Sequence, residues 1–316
     1  MPPSVLLTRR IPSSVVASLE SACEVELYEG PTPIPSDMLK KRLVGKQALI
    51  SVLTDRITAD VIDAAKDLRI IANIAVGYDN IDVPAAKARG IIVTNTPDVL
   101  TEAVAEFTWA LILAAARRLG EAERFVRRGA WREWRLDFML GTELRGKQLG
   151  IVGRGRIGRA VAAKAPAFGM EVLFATRRAG AGRHERPSDE VSLDELLVSS
   201  DVLSIHTPLT PETRHLIDRR AFARMKRSAI LVNTARGPII DEAALAWALK
   251  ERLIAAAALD VFEREPEVLP ELFEFENVVL APHLGRATRE TRTAMADLAA
   301  ANVIAVLAGR PPLTPL

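Results

Sequence analysis

Arg236, Glu265 and His283 are the residues whose types and placement suggest chemistry. Arg236 stands in "NTARG" after the apolar run Ile230–Val232, and Glu265 in "LDVFEREP", in the loop beyond Ala255–Leu259. His283 stands in "PHLGRAT" after Val278–Leu280. Each run reads as a buried strand, and open α/β sheets bind ligands beyond the C-terminal ends of their strands. Taken singly, each residue has a plain reading: a surface arginine, a loop carboxylate, a turn histidine. On one sheet edge they would form a set. Histidine titrates nearest neutral pH and suits a proton donor. A neighbouring carboxylate stabilises the imidazolium, each unit of upward shift being worth about 1.4 kcal/mol. A guanidinium clamps a carboxylate and polarises a 2-oxo group. Such a set would protonate the alkoxide formed when a 2-oxoacid accepts a hydride. The other histidines suggest less. His184 lies in an Arg-rich loop, His215 reads as part of a polar helix, and neither has an acid at an equally suggestive place. His206 ends the run Val202–Ile205, just before Thr207 and Pro208, where it would border a cofactor.

A cofactor is suggested by "LGIVGRGRIGRAV". Gly153, Gly155 and Gly158 follow a buried strand and open a helix through Arg156 and Ile157. In that context the spacing G-x-G-x-x-G is informative. The first glycine allows the tight turn, the second lets a pyrophosphate approach the backbone, and the third lets helix and strand pack closely. The helix start adds free N–H groups and partial positive charge. The next strand ends in "VLFATRRAG", and from Val172 to His184 there is no Asp or Glu. A ribose 2′-hydroxyl would lack its carboxylate, whereas a 2′-phosphate would meet Thr176, Arg177 and Arg178. NADP(H) is therefore expected over NAD(H). The other reading of the two arginines is solvated surface charge.

The elements that must position these residues alternate. Runs read as strands are Val5–Leu7, Val25–Tyr28, Ala48–Leu53, Ile70–Ile74 and Ile91–Val93. A second series comprises Gln148–Val152, Glu171–Ala175, Val202–Ile205, Ala229–Val232, Ala255–Leu259 and Val278–Leu280. Helical patterns fill the gaps, including Leu100–Leu119, Ile157–Ala165 and a final Thr288–Leu307. Gly90 is placed to stop one helix, and Pro166 to end or kink another. Continuous apolar strands alternating with helices imply parallel sheets covered on both faces.

Composition narrows the classes. The 316 residues suggest two domains and allow a sizeable core. A net charge of +2 gives no footprint for nucleic acid. The single cysteine, Cys23, permits no intramolecular disulfide and no cysteine-based zinc site, and reads as a small buried hydrophobe. No metal is called for. No apolar run reaches membrane-spanning length, and no signal peptide is read at the N-terminus. The expectation is a soluble, reduced, cytoplasmic protein with neither nucleic acid nor membrane as partner.

Seven segments together resemble the D-isomer-specific 2-hydroxyacid dehydrogenases, most of all their glyoxylate/hydroxypyruvate reductase branch. They are "VGYDNIDV", "TNTPDVLTEAVAEFTWAL", "GIVGRGRIG", "HTPLTPETRHLI", "NTARG", "LDVFEREP" and "PHLGRAT", and they span nearly the whole chain. The resemblance implies two doubly wound parallel-sheet α/β domains. A Rossmann dinucleotide-binding domain, 99–284, would be inserted into a flavodoxin-like substrate domain, 1–98 plus 285–316. It implies that His283 is the acid/base, Glu265 its partner, and Arg236 the substrate clamp. Backbone N–H groups at Val76 and Gly77 would bind the substrate carboxylate, and Leu53 would line the pocket. Thr101 and Asp260 match positions that contact the nicotinamide half of the cofactor; His206, Thr207, Pro208, Thr234 and Ala235 complete the expected cofactor contacts. A homodimer joined through the dinucleotide domain is implied. Trp131, Trp134 and Phe138 match a segment that wraps the partner, where Phe138 either packs in the interface or enters the neighbour's active site. Arg286 departs from the small Ser usual after the His-x-Gly motif; facing the pocket it would add a cation near the substrate and put substrate identity in doubt, and facing solvent it would mean little. Other 2-hydroxyacids, bulkier or D-lactate-like, and a dinucleotide-sensing binding protein of the same fold stay open.

Overall fold

The computed structural model describes residues 2–176 and 187–316. The chain divides into two compact units, Met1–Leu100 with Thr288–Leu316, and Thr101–Ala287.

The first unit is a five-stranded sheet built from β1 (Ser4–Leu7), β2 (Glu24–Leu27), β3 (Ala48–Ser51), β4 (Ile70–Asn73) and β5 (Ile92–Thr94). All pairs are parallel, in the order β2-β1-β3-β4-β5. This is the flavodoxin-type winding. β3 and β4 are buried along their whole length, as strands covered on both faces must be. The helices α1 (Ser13–Glu20), α2 (Ser36–Leu43), α3 (Ala59–Ala64) and α4 (Val83–Ala88) fall between strands. Asp82 caps α4 by accepting the Ala85 N–H at 3.0 Å, and Gly90, at φ 70°, turns the chain after it. Cys23 is buried just ahead of β2.

The second unit opens with α5 (Thr101–Ala116) and α6 (Leu119–Arg127). The sequence reads as one helix to Leu119; Arg118 instead takes a left-handed backbone at φ 52° and breaks it. The Arg118 guanidinium then holds Glu121 through two bonds of 2.8 and 2.7 Å, fixing the start of α6. Seven strands follow: β6 (Gln148–Val152), β7 (Glu171–Ala175), β8 (Glu190–Val191), β9 (Val202–Ile205), β10 (Ile230–Asn233), β11 (Ala256–Leu259) and β12 (Val278–Leu280). Their order is β12-β11-β10-β9-β6-β7-β8, again all parallel, a Rossmann winding with one further strand. Between them lie α7 (Arg156–Lys164), α8 (Leu193–Ser199), α9 (Arg219–Arg224) and α10 (Glu242–Lys250). α7 stops at Lys164 and passes into a 3₁₀ turn at Ala165–Phe168, where Pro166 cannot continue the ladder. Trp109 of α5 stacks on Phe168 at 4.3 Å and donates its indole N–H to the Val161 carbonyl at 3.0 Å, tying α5 to α7. A last helix, α11 (Arg289–Leu307), belongs to the first unit and packs on β3, β4 and α1. Among the described residues no helix is long and apolar enough to cross a membrane.

Candidate active site

In the first unit the interest lies beyond β3 and β4. Asn73, at the end of β4, gives one amide hydrogen to the Gly77 carbonyl at 3.0 Å. Asn95 gives one to the Val76 carbonyl at 2.8 Å, and Asn80 bonds the Val52 and Asp55 carbonyls at 3.2 and 2.9 Å. These three amides pin the loops that carry Leu53, Val76 and Gly77 by their carbonyls. The N–H groups of Val76 and Gly77 have no acceptor among the described residues. Two adjacent free donors on a pinned loop suit a carboxylate. The sequence reading overlooked these asparagines; the only signal was an amide at the end of β4 and another just beyond β5, with none to mark Asn80.

In the second unit the glycine turn is shaped by close backbone approach. Gly153 has φ 102°, and a Cβ there would lie 2.6 Å from the His206 carbonyl oxygen. A Cβ on Gly158 would lie 2.2 Å from the Gly153 carbonyl oxygen. Only hydrogen fits at either place. Gly155 is different: nothing lies within 4 Å of where its Cβ would be. It stands at the start of α7 with no side chain capping the helix. Tight turn, open second glycine and uncapped helix start fit a pyrophosphate.

His206 follows β9, half-buried, with its Nε2 2.8 Å from Ser204 Oγ. Burial pushes its imidazole down to about 3, so the ring is neutral near pH 7. Thr207 is half-buried and Pro208 exposed. Thr234 Oγ1 is 3.0 Å from Thr108 Oγ1 on α5, the helix that Thr101 begins. The side chain of Asn233 fixes the turn beyond β10, accepting the Ala235 N–H at 3.0 Å and donating to the Arg236 carbonyl at 2.9 Å.

The triplet shares one edge of this sheet. His283 Nδ1 is 2.8 Å from Glu265 Oε2, while the other Glu265 oxygen accepts the Phe262 N–H at 3.1 Å. The two side chains are 22% and 26% exposed, so the pair is partly open rather than sealed. Burial acts to raise the Glu265 pKa, but the His283 hydrogen bond, the Phe262 N–H and the nearby Arg236 together hold it below the usual carboxylate value. Arg236 leads into the turn Gly237–Ile239 and is half-buried, with one guanidinium nitrogen 2.8 Å from the Ala235 carbonyl. A Cβ on Gly237 would lie 1.9 Å from the Phe262 carbonyl carbon, so the Arg236 turn and the Glu265 loop touch backbone to backbone.

Asp260 organises the His283 loop. Its carboxylate accepts the Leu284 and Gly285 N–H groups at 2.6 and 2.8 Å, and its carbonyl accepts the His283 N–H at 2.8 Å. His283 itself takes φ 55°. Burial raises the Asp260 pKa more than these N–H groups and His283 lower it. Arg286, just beyond, is half-buried.

Three expectations need correction or completion. His215 is not in a helix: it occupies a turn at φ 51°, because its N–H bonds the Pro238 carbonyl at 2.8 Å and Ile217 bridges Ile240. Nor does it lack an acid, since its Nε2 contacts Glu263 Oε1. Glu263 in turn gives its N–H to Glu242, a carboxyl buried at the start of α10 and raised in pKa by that burial. The acid missing along the end of β7 arrives from another strand, for Thr176 Oγ1 donates to Glu190 Oε1 of β8. A two-residue strand leaves no periodicity from which to foresee that contact. Arg177, Arg178 and His184 lie outside the described residues. Among those described, no group of three or more His, Cys, Asp or Glu side chains could hold a metal ion.

Comparison with known proteins shows the family. The D-isomer specific 2-hydroxyacid dehydrogenase, NAD binding domain family matches residues 109–285. Glyoxylate reductase from Aeropyrum pernix is 52% identical over 319 aligned residues, covering 98% of this chain and 94% of that one. A protein of known structure from Thermus thermophilus superposes with a TM-score of 0.93 at 46% identity, over 99% of both chains. An NADPH-dependent glyoxylate/hydroxypyruvate reductase from Sinorhizobium meliloti, solved with NADP and malonate, gives 0.87 at 36% identity, over 100% of this chain and 97% of that one. The chain thus belongs to the D-isomer-specific 2-hydroxyacid dehydrogenases, NAD(P)-dependent oxidoreductases that interconvert 2-oxoacids and 2-hydroxyacids.

Proposed function

We propose that the chain is an NADPH-preferring reductase of a small 2-oxoacid, glyoxylate or hydroxypyruvate, giving glycolate or D-glycerate. The observation that carries this reading is the His283–Glu265 pair at 2.8 Å with Arg236 beside it, on the sheet that also bears the glycine turn. Glu265 engages Nδ1 of His283, which leaves Nε2 to deliver a proton to the substrate oxygen. Glu265 keeps its charge and fixes the orientation of the ring through that hydrogen bond. Arg236 draws electrons from the 2-oxo group and holds the substrate. The N–H groups of Val76 and Gly77 take the substrate carboxylate, with Leu53 lining the pocket. The dinucleotide, when bound, supplies the hydride. Gly153, Gly155, Gly158 and the start of α7 (Arg156, Ile157) hold its pyrophosphate. Thr101, His206, Thr207, Pro208, Thr234, Ala235 and Asp260 line its path. Arg177 and Arg178 favour a 2′-phosphate by their charge, and the NADPH-dependent relative supports that preference. The working form is a homodimer.

The test is initial rates of NADPH and NADH oxidation with glyoxylate and with hydroxypyruvate, for the wild type and H283A. The wild type should turn over with NADPH as the better cofactor. H283A should lose about 10²–10⁴-fold in kcat, the usual contribution of a positioned acid, with dinucleotide affinity nearly unchanged. Normal turnover in H283A would sink the mechanism. Tight dinucleotide binding without reduction of any 2-oxoacid would favour a sensor.

A further inference from the structure

Thr176 follows β7, where a dinucleotide fold presents the adenosine ribose. Its hydroxyl donates to Glu190 Oε1, brought alongside by the parallel register that pairs Phe174 with Glu190 and Ala175 with Val191. The Glu190 side chain is only 11% exposed. Its second oxygen lies 3.7 Å from Arg154 Nη1, but that guanidinium already has a partner. Both of its terminal nitrogens bond Asp189, at 2.8 and 2.9 Å, and it lies over the Phe174 ring at 4.7 Å. Among the described residues Asp189 neutralises Arg154, so the Glu190 carboxylate adds negative charge beside Thr176.

A hydroxyl has one proton to give. That of Thr176 goes to Glu190, so its oxygen is left to accept. An acceptor suits a ribose 2′-hydroxyl, which donates. It does not suit a 2′-phosphate, whose oxygens accept and whose charge Glu190 repels. We propose that Glu190 is a specificity-determining residue: by orienting Thr176 as an acceptor and charging this edge, it retains use of NADH and limits the preference for NADPH. Arg177 and Arg178 favour the phosphate, and Glu190 opposes it. The proposal rests on the reading that this edge receives the adenosine ribose, but not on which cofactor the wild type prefers.

The experiment compares kcat/KM for NADPH and NADH, at saturating glyoxylate, in the wild type and E190Q. Glutamine keeps the shape and removes the charge, and its amide supplies a donor. The NADPH/NADH ratio should rise about tenfold, the worth of one charge-assisted hydrogen bond gained or lost. An unchanged or lowered ratio overturns the proposal. Should E190Q fold poorly, T176V and T176S carry the test. T176V should weaken NADH more than NADPH and T176S should restore it; equal losses for the two cofactors overturn it. A wild type that favours NADH would remove the NADPH preference alone, because this test reads the change in ratio.

Discussion

Two titrations, at Glu265 and His206, report the electrostatics of the site and set in at different pH. Glu265 is held below its ordinary value of 4.5, because His283, the Phe262 N–H and Arg236 outweigh its burial. It therefore stays charged to lower pH in the folded chain than in the unfolded one. Its stabilising contribution is complete above the unfolded value and is lost as pH falls through the folded one. His206 is pushed from 6.5 to about 3 by burial. Below pH 6.5 the unfolded chain takes up a proton that the folded chain refuses, so stability falls from there downward, by at most about 1.4 kcal/mol per pH unit. From 6.5 down to about 5 His206 alone of the two acts, and below 4.5 both act, because the folded chain keeps His206 unprotonated down to about 3. In urea-unfolding midpoints taken from pH 7 to 4, H206N should reduce the slope from pH 6.5 downward, and E265Q should reduce it only below 4.5. Slopes unaltered in both variants would refute the assignment. At this scale the sequence was legible for residue type and strand-end position, which is why Arg236, Glu265 and His283 could be named from it. Partners were not legible. Glu263 for His215, Asp260 for the His283 loop and Glu190 for Thr176 come from other segments of the chain, and pairing across strands leaves no local signal.

Elements transmit these positions through backbone contact more than through side chains. The turn after β10 and the loop after β11 meet at Gly237, where a Cβ would fall 1.9 Å from the Phe262 carbonyl carbon and 2.5 Å from the Glu263 nitrogen. Glu242, at the start of α10, holds the Glu263 N–H at 2.7 Å from the other side. The loop that carries Glu265 is thus clamped between a glycine and a buried carboxyl. In G237A a methyl must displace backbone on both sides, a strain of about 1–3 kcal/mol, and it separates Arg236 from Glu265. The expected result is a lower melting temperature, with kcat falling further than stability alone accounts for and the KM for cofactor nearly constant. A stable G237A enzyme with wild-type kcat would show that the clamp does not position the site. The strands themselves were legible because a parallel strand covered on both faces must be a continuous apolar run. β8 was not, being two residues long with one acidic. The break between α5 and α6 was not either, since left-handed arginine has no sequence signature comparable to that of glycine.

At the scale of the whole molecule, the second unit carries apolar surface that its own core does not use. α6 has no buried residue, although Leu119 and Val126 are 61% and 56% exposed. The segment after it continues the pattern, with Trp131, Trp134, Leu136 and Leu140 between 58% and 82% exposed. Phe138 packs against Phe125 at 5.2 Å, joining segment to helix. Large aromatic and aliphatic side chains clustered in this way mark an association surface more often than a solvated one. The partner that fits the family resemblance is a second copy of the chain, engaged through the dinucleotide unit. W134S combined with L136S removes two large anchors without touching the core or the candidate site. Sedimentation velocity across nanomolar to micromolar concentration should find the wild type dimeric and the double variant monomeric at concentrations where the wild type is not. Central anchors of this size are each worth about 2 kcal/mol or more, so the dissociation constant should rise by a hundredfold or more. Melting temperature separates the outcomes. A dimer that loses its partner melts lower and with a concentration dependence that the wild type lacks in the same range. A wild type that is monomeric throughout would leave this apolar strip without its proposed occupant. Turnover measured on the same samples, per protomer, then distinguishes the two roles open to Phe138. Activity that survives dissociation assigns it to packing, and activity that falls in step with the dimer places its aromatic ring in the neighbour's site.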